Sequence, residues 1–474
     1  MRPPPLAAIL LLVLAGCGGP TEPSPTSTSS FAPSGLVFQD LARVPGDQVA
    51  AEPNFASGRD GLYLVAPGSL VGQPNLVDSQ VSLWSSHDGS VWLPLRTPAP
   101  RDGEGTFCSC DADVEVGSDG TVYLTDFWVT DNANGFVVQS SRDQGRTWSK
   151  ASFLPVTRPS DNDRQYLVAS HQPAEVYLAY ARAFALPAPL PVQLPSTQAP
   201  VGDAGLHLMR STDGGTTFVP LRKVFDESPS TFAFIAKPRV GPDDTLFYPW
   251  VEGPTTDPWN GTARAMVAVS HDHGITFAPS RKVADIPGGV GGLWPFQIDV
   301  DAAGDLLATW MERQPGGGSS LLFSSSGDQG KTWTQPLRIA NGTALLPWIA
   351  AGGPGRAAIA YYGSPNAVDP MRAPADERWD AWVVVVDQGV AQAPVRVSPF
   401  PVKVGRFCPQ GAACPQDREL LDYPAVAWHD GWVQVAFAAS LQDAGAGPAA
   451  PAGGHPEGAH ATAGHLWTAR ARLA

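Results

Sequence analysis

The chain has 474 residues, a formal net charge of −14, 49 Gly, 48 Pro and only 16% charged residues. That mixture suits many short strands joined by tight turns, and it excludes a helix-rich fold or a chain too polar to build a core. The acidic balance, with no basic run longer than two residues, excludes nucleic acid as an expected partner, because phosphate binding needs clustered Lys and Arg.

Arg2 and the apolar run 6–14 read as a leader too short to span a bilayer. The run closes on Leu14-Ala15-Gly16-Cys17, which resembles a bacterial lipobox. The resemblance implies that residues 1–16 are removed, that Cys17 carries the lipid, and that the protein is exported to the outer membrane or cell surface. Residues 17–35 are mostly Pro, Ser, Thr and Gly, a tether that cannot bury a core. Only the anchor is expected to touch the membrane.

Residues 36–474 carry an internal repeat, which decides the fold class before any local reading does. Four segments fit Ser-x-Asp-x-Gly-x-Thr-aromatic in full: Ser141 to Trp148 around Asp143, Ser211 to Phe218 around Asp213, Ser270 to Phe277 around Asp272, and Ser326 to Trp333 around Asp328. A shorter one runs from Ser86 through Asp88 and Gly89 to Trp92. Asp and Ser side chains can bond backbone groups at a bend, Gly takes the positive φ, and the aromatic buries a large area. Each segment therefore predicts a hairpin turn, the second one led in by 135–141 and led out by 149–154. A second signature, strand–turn–strand with alternating apolar residues, covers 113–124, 166–180, 236–250, 296–310, 348–362 and 423–437, and more weakly 54–65. That makes seven units. The last has three strands if 466–473 is its third, and 36–44 supplies a fourth that would close the chain on itself and remove open edges.

The repeat is the Asp-box, or bacterial neuraminidase repeat, pattern. Nearly all of the mature chain resembles the sialidase-like β-propeller superfamily. The resemblance implies an all-β propeller of four-stranded antiparallel blades. The boxes would lie on the outer turns between third and fourth strands, with Asp88, Asp143, Asp213, Asp272 and Asp328 structural. Sialidases have six blades; the units here favour seven, and six stands if 54–65 or the sixth unit is not a blade.

In a propeller the loops leading into the first strands face the central funnel, where several blades converge polar groups. Those positions hold Asp111, Asp113, Asp161, Asp163, Arg164, Lys237, Arg239, Trp294, Trp348, Arg418, Glu419, Asp422 and Tyr423. The resemblance implies a sialidase set: three arginines clamping a carboxylate, a Tyr nucleophile activated by Glu, and an Asp acid or base. Tyr423 matches the nucleophile, with Glu419 near it and Asp113 or Asp163 as the acid or base. Arg164, Arg239 and Arg418 are the candidate clamp, and Trp294 and Trp348 are candidate sugar platforms. The family's Arg-Ile-Pro signature does not occur, and 52–55 holds no Arg. Arg418 also shares a loop with Tyr423.

Cys408 and Cys414 make the simplest disulfide outside the cytoplasm. Cys108 and Cys110 would be strained as a pair, which leaves cross-pairing or a four-thiolate metal site as alternatives. Three stretches exceed the blade period and read as surface loops: 186–204, 363–377 and 442–464. The last carries His455, Glu457 and His460, read as solvated side chains, and no metal or cofactor is expected. Three functions fit: a monomeric envelope propeller binding a carbohydrate or other small ligand without catalysis, an exo-α-sialidase-like hydrolase, or an assembly factor for an envelope protein complex.

Overall fold

Short apolar runs separated by turn residues fold here as antiparallel hairpins, and the hairpins pair into seven sheets. The computed structural model describes residues 31–46, 52–67, 81–97, 106–107, 111–129, 133–157, 161–183, 204–228, 230–257, 260–289, 291–292, 295–410, 414, 417, 420, 422–440 and 465–473. The leader, Cys17, Cys108, Cys110, Trp294, Arg418, Glu419, His455, Glu457, His460 and most of loops 186–204 and 442–464 lie outside the described residues, as does the side chain of Asp163.

Blade I is Asn54–Gly58, Gly61–Ala66, Ser82–Ser86 and Leu93–Leu95. Blade II is Asp113–Val116, Val122–Val129, Ala133–Ser141 and Ser152–Thr157, with Thr106–Phe107 on its inner edge. Blade III is Asp161–Ala169, Val176–Ala183 and Gly205–Ser211, with an outer edge split into Val219–Pro220 and Phe225–Asp226. Blade IV has a split inner edge, Thr231–Ile235 and Arg239–Val240, followed by Leu246–Pro254, Ala263–Ser270 and Arg281–Ile286. Blade V is Phe296–Val300, Leu306–Arg313, Ser319–Ser326 and Leu337–Arg338. Blade VI is Thr343–Ala351, Arg356–Ser364 and Arg378–Asp387, edged by Val390–Ala391, Val395–Arg396 and Lys403–Val404.

Blade VII is Ala425–His429, Trp432–Ala439 and His465–Arg472, completed by the chain's first strand, Val37–Arg43. Its register runs from Val37 opposite Arg472 to Arg43 opposite Trp467. The expected closure is therefore formed, and the blade count is seven. First strands touch in chain order from blade I to blade VII, and that of blade VII meets blade I again, so the ring is sealed. Second strands such as Leu306–Arg313 and Arg356–Ser364 are buried nearly end to end, because neighbouring blades cover both of their faces.

The repeated turns join third to fourth strands in blades I to V. In blade II the Ser141 hydroxyl donates to Asp143 (2.8 Å) and accepts from the Gly145 N–H, while Asp143 accepts from the Thr147 N–H (2.8 Å) and hydroxyl (2.6 Å). Asp272 and Asp328 repeat this set. These bonds hold Asp143, Asp272 and Asp328 at a pKa of about 2, led by the Thr hydroxyl in each case. The turn needs two successive left-handed residues, Gln144 and Gly145 at φ 63° and 84°, so glycine at the second is a steric requirement. The fourth strand of blade II starts at Ser152 rather than 149, because Ser149 still bonds Ser140 through its N–H and hydroxyl. Trp148 packs against the core cluster shared by blades I and II, as Leu95 and Val116 do, and donates to the Arg96 carbonyl (3.0 Å). The box aromatic thus reaches the preceding blade instead of only its own, and it ties neighbours together.

Candidate functional site

The mouth of the ring is built from one backbone device used in several blades. Glu52, Asp111, Arg164 and Leu346, each two residues before a first-strand side chain that faces the axis, take φ of 51°, 54°, 52° and 56°. Non-glycine residues pay roughly 1–3 kcal/mol for such a conformation, so the surrounding contacts must hold it. In blades III and VI the device is a bulge, where the register slips between Asp163 and Gln165 and between Leu345 and Trp348.

The bulge at Arg164 drives a guanidinium into the axis. Arg164 is 2% exposed. Its Nη2 donates to Asp422 Oδ2 (2.5 Å), and its Nη1 donates to the Tyr423 hydroxyl (2.9 Å), both of blade VII. The same Nη1 stands 3.0 Å from Asp111 Oδ1 and 3.7 Å from Glu52 Oε2. One cation therefore joins blades I, II, III and VII. Burial opposes its charge, but Asp111, Tyr423 and Glu52 hold its pKa well above the usual arginine range.

Tyr423 is fully buried and accepts a second bond from Asn54 Nδ2 (3.2 Å), whose amide also donates to the Ala112 carbonyl. Its ring stacks on Trp348 at 4.4 Å and 22°, with Tyr166 on the far side of Trp348 at 6.2 Å. Burial pushes the phenol pKa well up, with Tyr166 and Glu52 adding to it while Arg164 and Asn54 act against it. Trp348 itself is 4% exposed.

Asp113 lies in a separate cluster. Its Oδ1 accepts from Lys237 Nζ of blade IV (2.9 Å) and its Oδ2 from the Leu167 N–H of blade III (2.8 Å). Burial raises its pKa, against the nearby Lys237 charge. Arg239 lies beside Asp299 Oδ1 (2.8 Å), close but not aligned for a hydrogen bond, and Asp299 also accepts from the Ala351 N–H (2.8 Å). Carboxylates on first strands thus bond the backbone of the next blade in two places.

Of the residues expected at the mouth, Arg164, Asp111, Asp422, Tyr423 and Trp348 come together, whereas Asp113 and Arg239 sit in ion pairs between other blades. Glu52 and Asn54 are members the sequence reading passed over. Their only signal is that Glu52-Pro-Asn54 precedes its strand as Asp111-Ala-Asp113 does. Within the described residues Asn54 Oδ1, Gln165 Oε1 and the Tyr166 hydroxyl are buried without a hydrogen-bond partner. Each such atom costs about 1–3 kcal/mol unless water or a ligand meets it. The disulfide Cys408–Cys414 is formed in the stretch that leads to Asp422.

No protein-family model and no curated protein matches the chain. Solved structures with a similar chain path include a protein of unknown function from Dyadobacter fermentans (14% identity, 74% of this chain and 99% of that one, TM-score 0.47). Another is the Penicillium chrysogenum alpha-L-arabinanase complexed with arabinobiose (14% identity, 76% and 99%, TM-score 0.46). A third is the Trypanosoma rangeli sialidase in complex with the inhibitor DANA (14% identity, 93% and 60%, TM-score 0.43). This chain spans 60% of that sialidase's length. The likeness is one of fold. The seven-bladed ring itself rests on this chain's own sheets.

Proposed function

We propose that the chain is an exported, lipid-anchored propeller of sialidase-like type that binds a carbohydrate or other small ligand at its mouth and does not cleave it. The observation that carries this reading is the commitment of Arg164 to three carboxylates of its own chain. A clamp arginine must offer its fork to the ligand's carboxylate, and this fork is already used. Tyr423 has no exposed surface, so an anomeric carbon has no path to its oxygen without movement of the mouth. The unpartnered atoms of Asn54, Gln165 and Tyr166 favour a ligand or bound water near the axis.

The second reading, a hydrolase with Tyr423 as nucleophile, draws on the 2.9 Å contact between Arg164 and the phenol. One experiment separates the two: a glycan array together with a fluorogenic sialoside and a broad glycoside panel. Binding without turnover supports the proposal, while turnover abolished by Tyr423→Phe overturns it in favour of the hydrolase. Capture of an envelope protein alone, with no glycan bound, would instead favour an assembly role. For the anchor, Cys17→Ser is expected to release the protein from membranes into the soluble fraction.

A further inference from the structure

Away from the axis, the same face carries a cleft that none of the described mouth residues lines. It encloses about 210 Å³ between blades IV, V and VI. Its polar walls are Asn260, Arg313, Ser319, Asp369 and Arg372, and its apolar walls include Met311 and Leu345. The walls come from the loop after the second strand of blade IV, the second strand of blade V and the stretch 365–372 of blade VI.

The cleft is held in shape. Arg313 donates to the Asn260 side-chain oxygen and stands 3.7 Å from Asp369 Oδ2. Gly317, at φ +106°, lies so close to Asp369 that an added Cβ would meet the aspartate Cβ at 2.8 Å. Gly291 approaches Arg313 in the same way, at 3.0 Å. Asp369 also caps the 3-10 turn Pro370–Arg372 by accepting from the Met371 N–H, which fixes where Arg372 starts. Arg372 is exposed and makes no ion pair with any described residue.

We infer that this cleft binds a singly charged carboxylate on a molecule of monosaccharide size, with Arg372 as the primary anchor and Arg313 as its support. Among the described residues that line it, two guanidiniums and one carboxylate leave a local charge of about +1, which a monoanion matches and a doubly charged phosphate exceeds. Asn260, Ser319 and Asp369 supply hydroxyl partners, and the Met311 and Leu345 side chains supply an apolar wall. This inference rests on the ligand-binding reading and adds a second site off the axis.

The test is isothermal titration of the whole protein with glucuronate, galacturonate and N-acetylneuraminate, using glucose and inorganic phosphate as comparators. The expected result is binding of at least one sugar acid, at least tenfold weaker or undetectable binding of glucose and phosphate, and a tenfold or greater loss in Arg372→Ala. Because Arg372 is exposed, that variant keeps its fold, which an unchanged thermal midpoint verifies. Gly317→Ala, which displaces Asp369, is expected to weaken the same ligand. Equal binding by wild type and Arg372→Ala overturns the cleft but leaves mouth binding standing. Failure of every sugar acid to bind while other glycans are retained on an array likewise overturns the cleft alone. If no ligand of any kind binds, both readings fall.

Discussion

Arg164→Met removes the guanidinium that Glu52, Asp111 and Asp422 share at the centre of the mouth. At an effective dielectric of about 20, one unit pair at 3 Å is worth roughly 5 kcal/mol before the cost of desolvation. Breaking a buried pair by deleting one partner costs about 3–5 kcal/mol net. Three carboxylates share this guanidinium, so the expected loss lies at the upper end of that range. Equilibrium urea unfolding followed by the fluorescence of the 15 tryptophans reads it directly. Arg164→Lys keeps the charge but loses the fork, and is expected to cost about half as much. The double variant Arg164→Met/Asp422→Asn also removes one of the three carboxylate charges and is expected to recover at least 1 kcal/mol over the single variant. A midpoint for Arg164→Met within about 0.5 kcal/mol of wild type would refute the reasoning, because the carboxylates would then be held without Arg164.

The box aspartates set an acid dependence. Their folded pKa values of about 2 lie below the ordinary carboxylate value, so their contribution is complete above about pH 4 and is lost as pH falls toward 2. Acid unfolding curves of Asp272→Asn and Asp328→Asn should lose part of that slope while keeping their shape near neutral pH. Deleting the chain through Arg43 removes the fourth strand of blade VII and exposes the edge of His465–Arg472. The expected outcome is a lower unfolding midpoint and self-association at micromolar concentration, seen by light scattering. Cys408→Ser opens a loop with a sequence separation of 6, worth about 2 kcal/mol by loop entropy, and reduction of the wild type should give the same shift in urea.

Much of the fold is legible in the chain because the repeat acts over four residues. Ser141, Asp143, Gly145 and Thr147 bond one another within one turn, so the spacing of the residues already specifies the hairpin. The closing strand was legible for a related reason: a three-stranded last unit needs a partner, and 36–44 has the pattern of the strands that follow each box. The mouth was legible only in part. Tyr423, Arg164 and Trp348 could be placed near the axis from strand starts alone, but not paired. Glu52 and Asn54 carry no motif, and of the cleft residues Arg313 lies just past the strand pair read at 296–310 while Arg372 lies in a stretch read as loop.

Sequence alone determined the blade type and the turns that cap the blades, since these follow from contacts between residues close along the chain. It favoured seven blades over six; the structure decided the count, because the seventh blade forms only when Val37–Arg43 pairs with His465–Arg472. Tertiary structure decided which charges meet. Arg164 reaches Asp422 across a separation of 258 residues, and Lys237 reaches Asp113 across 124. Ring closure brings such pairs together, and the bulge at Arg164 then selects the partner. A guanidinium that could have served a ligand is thereby spent on holding four blades together.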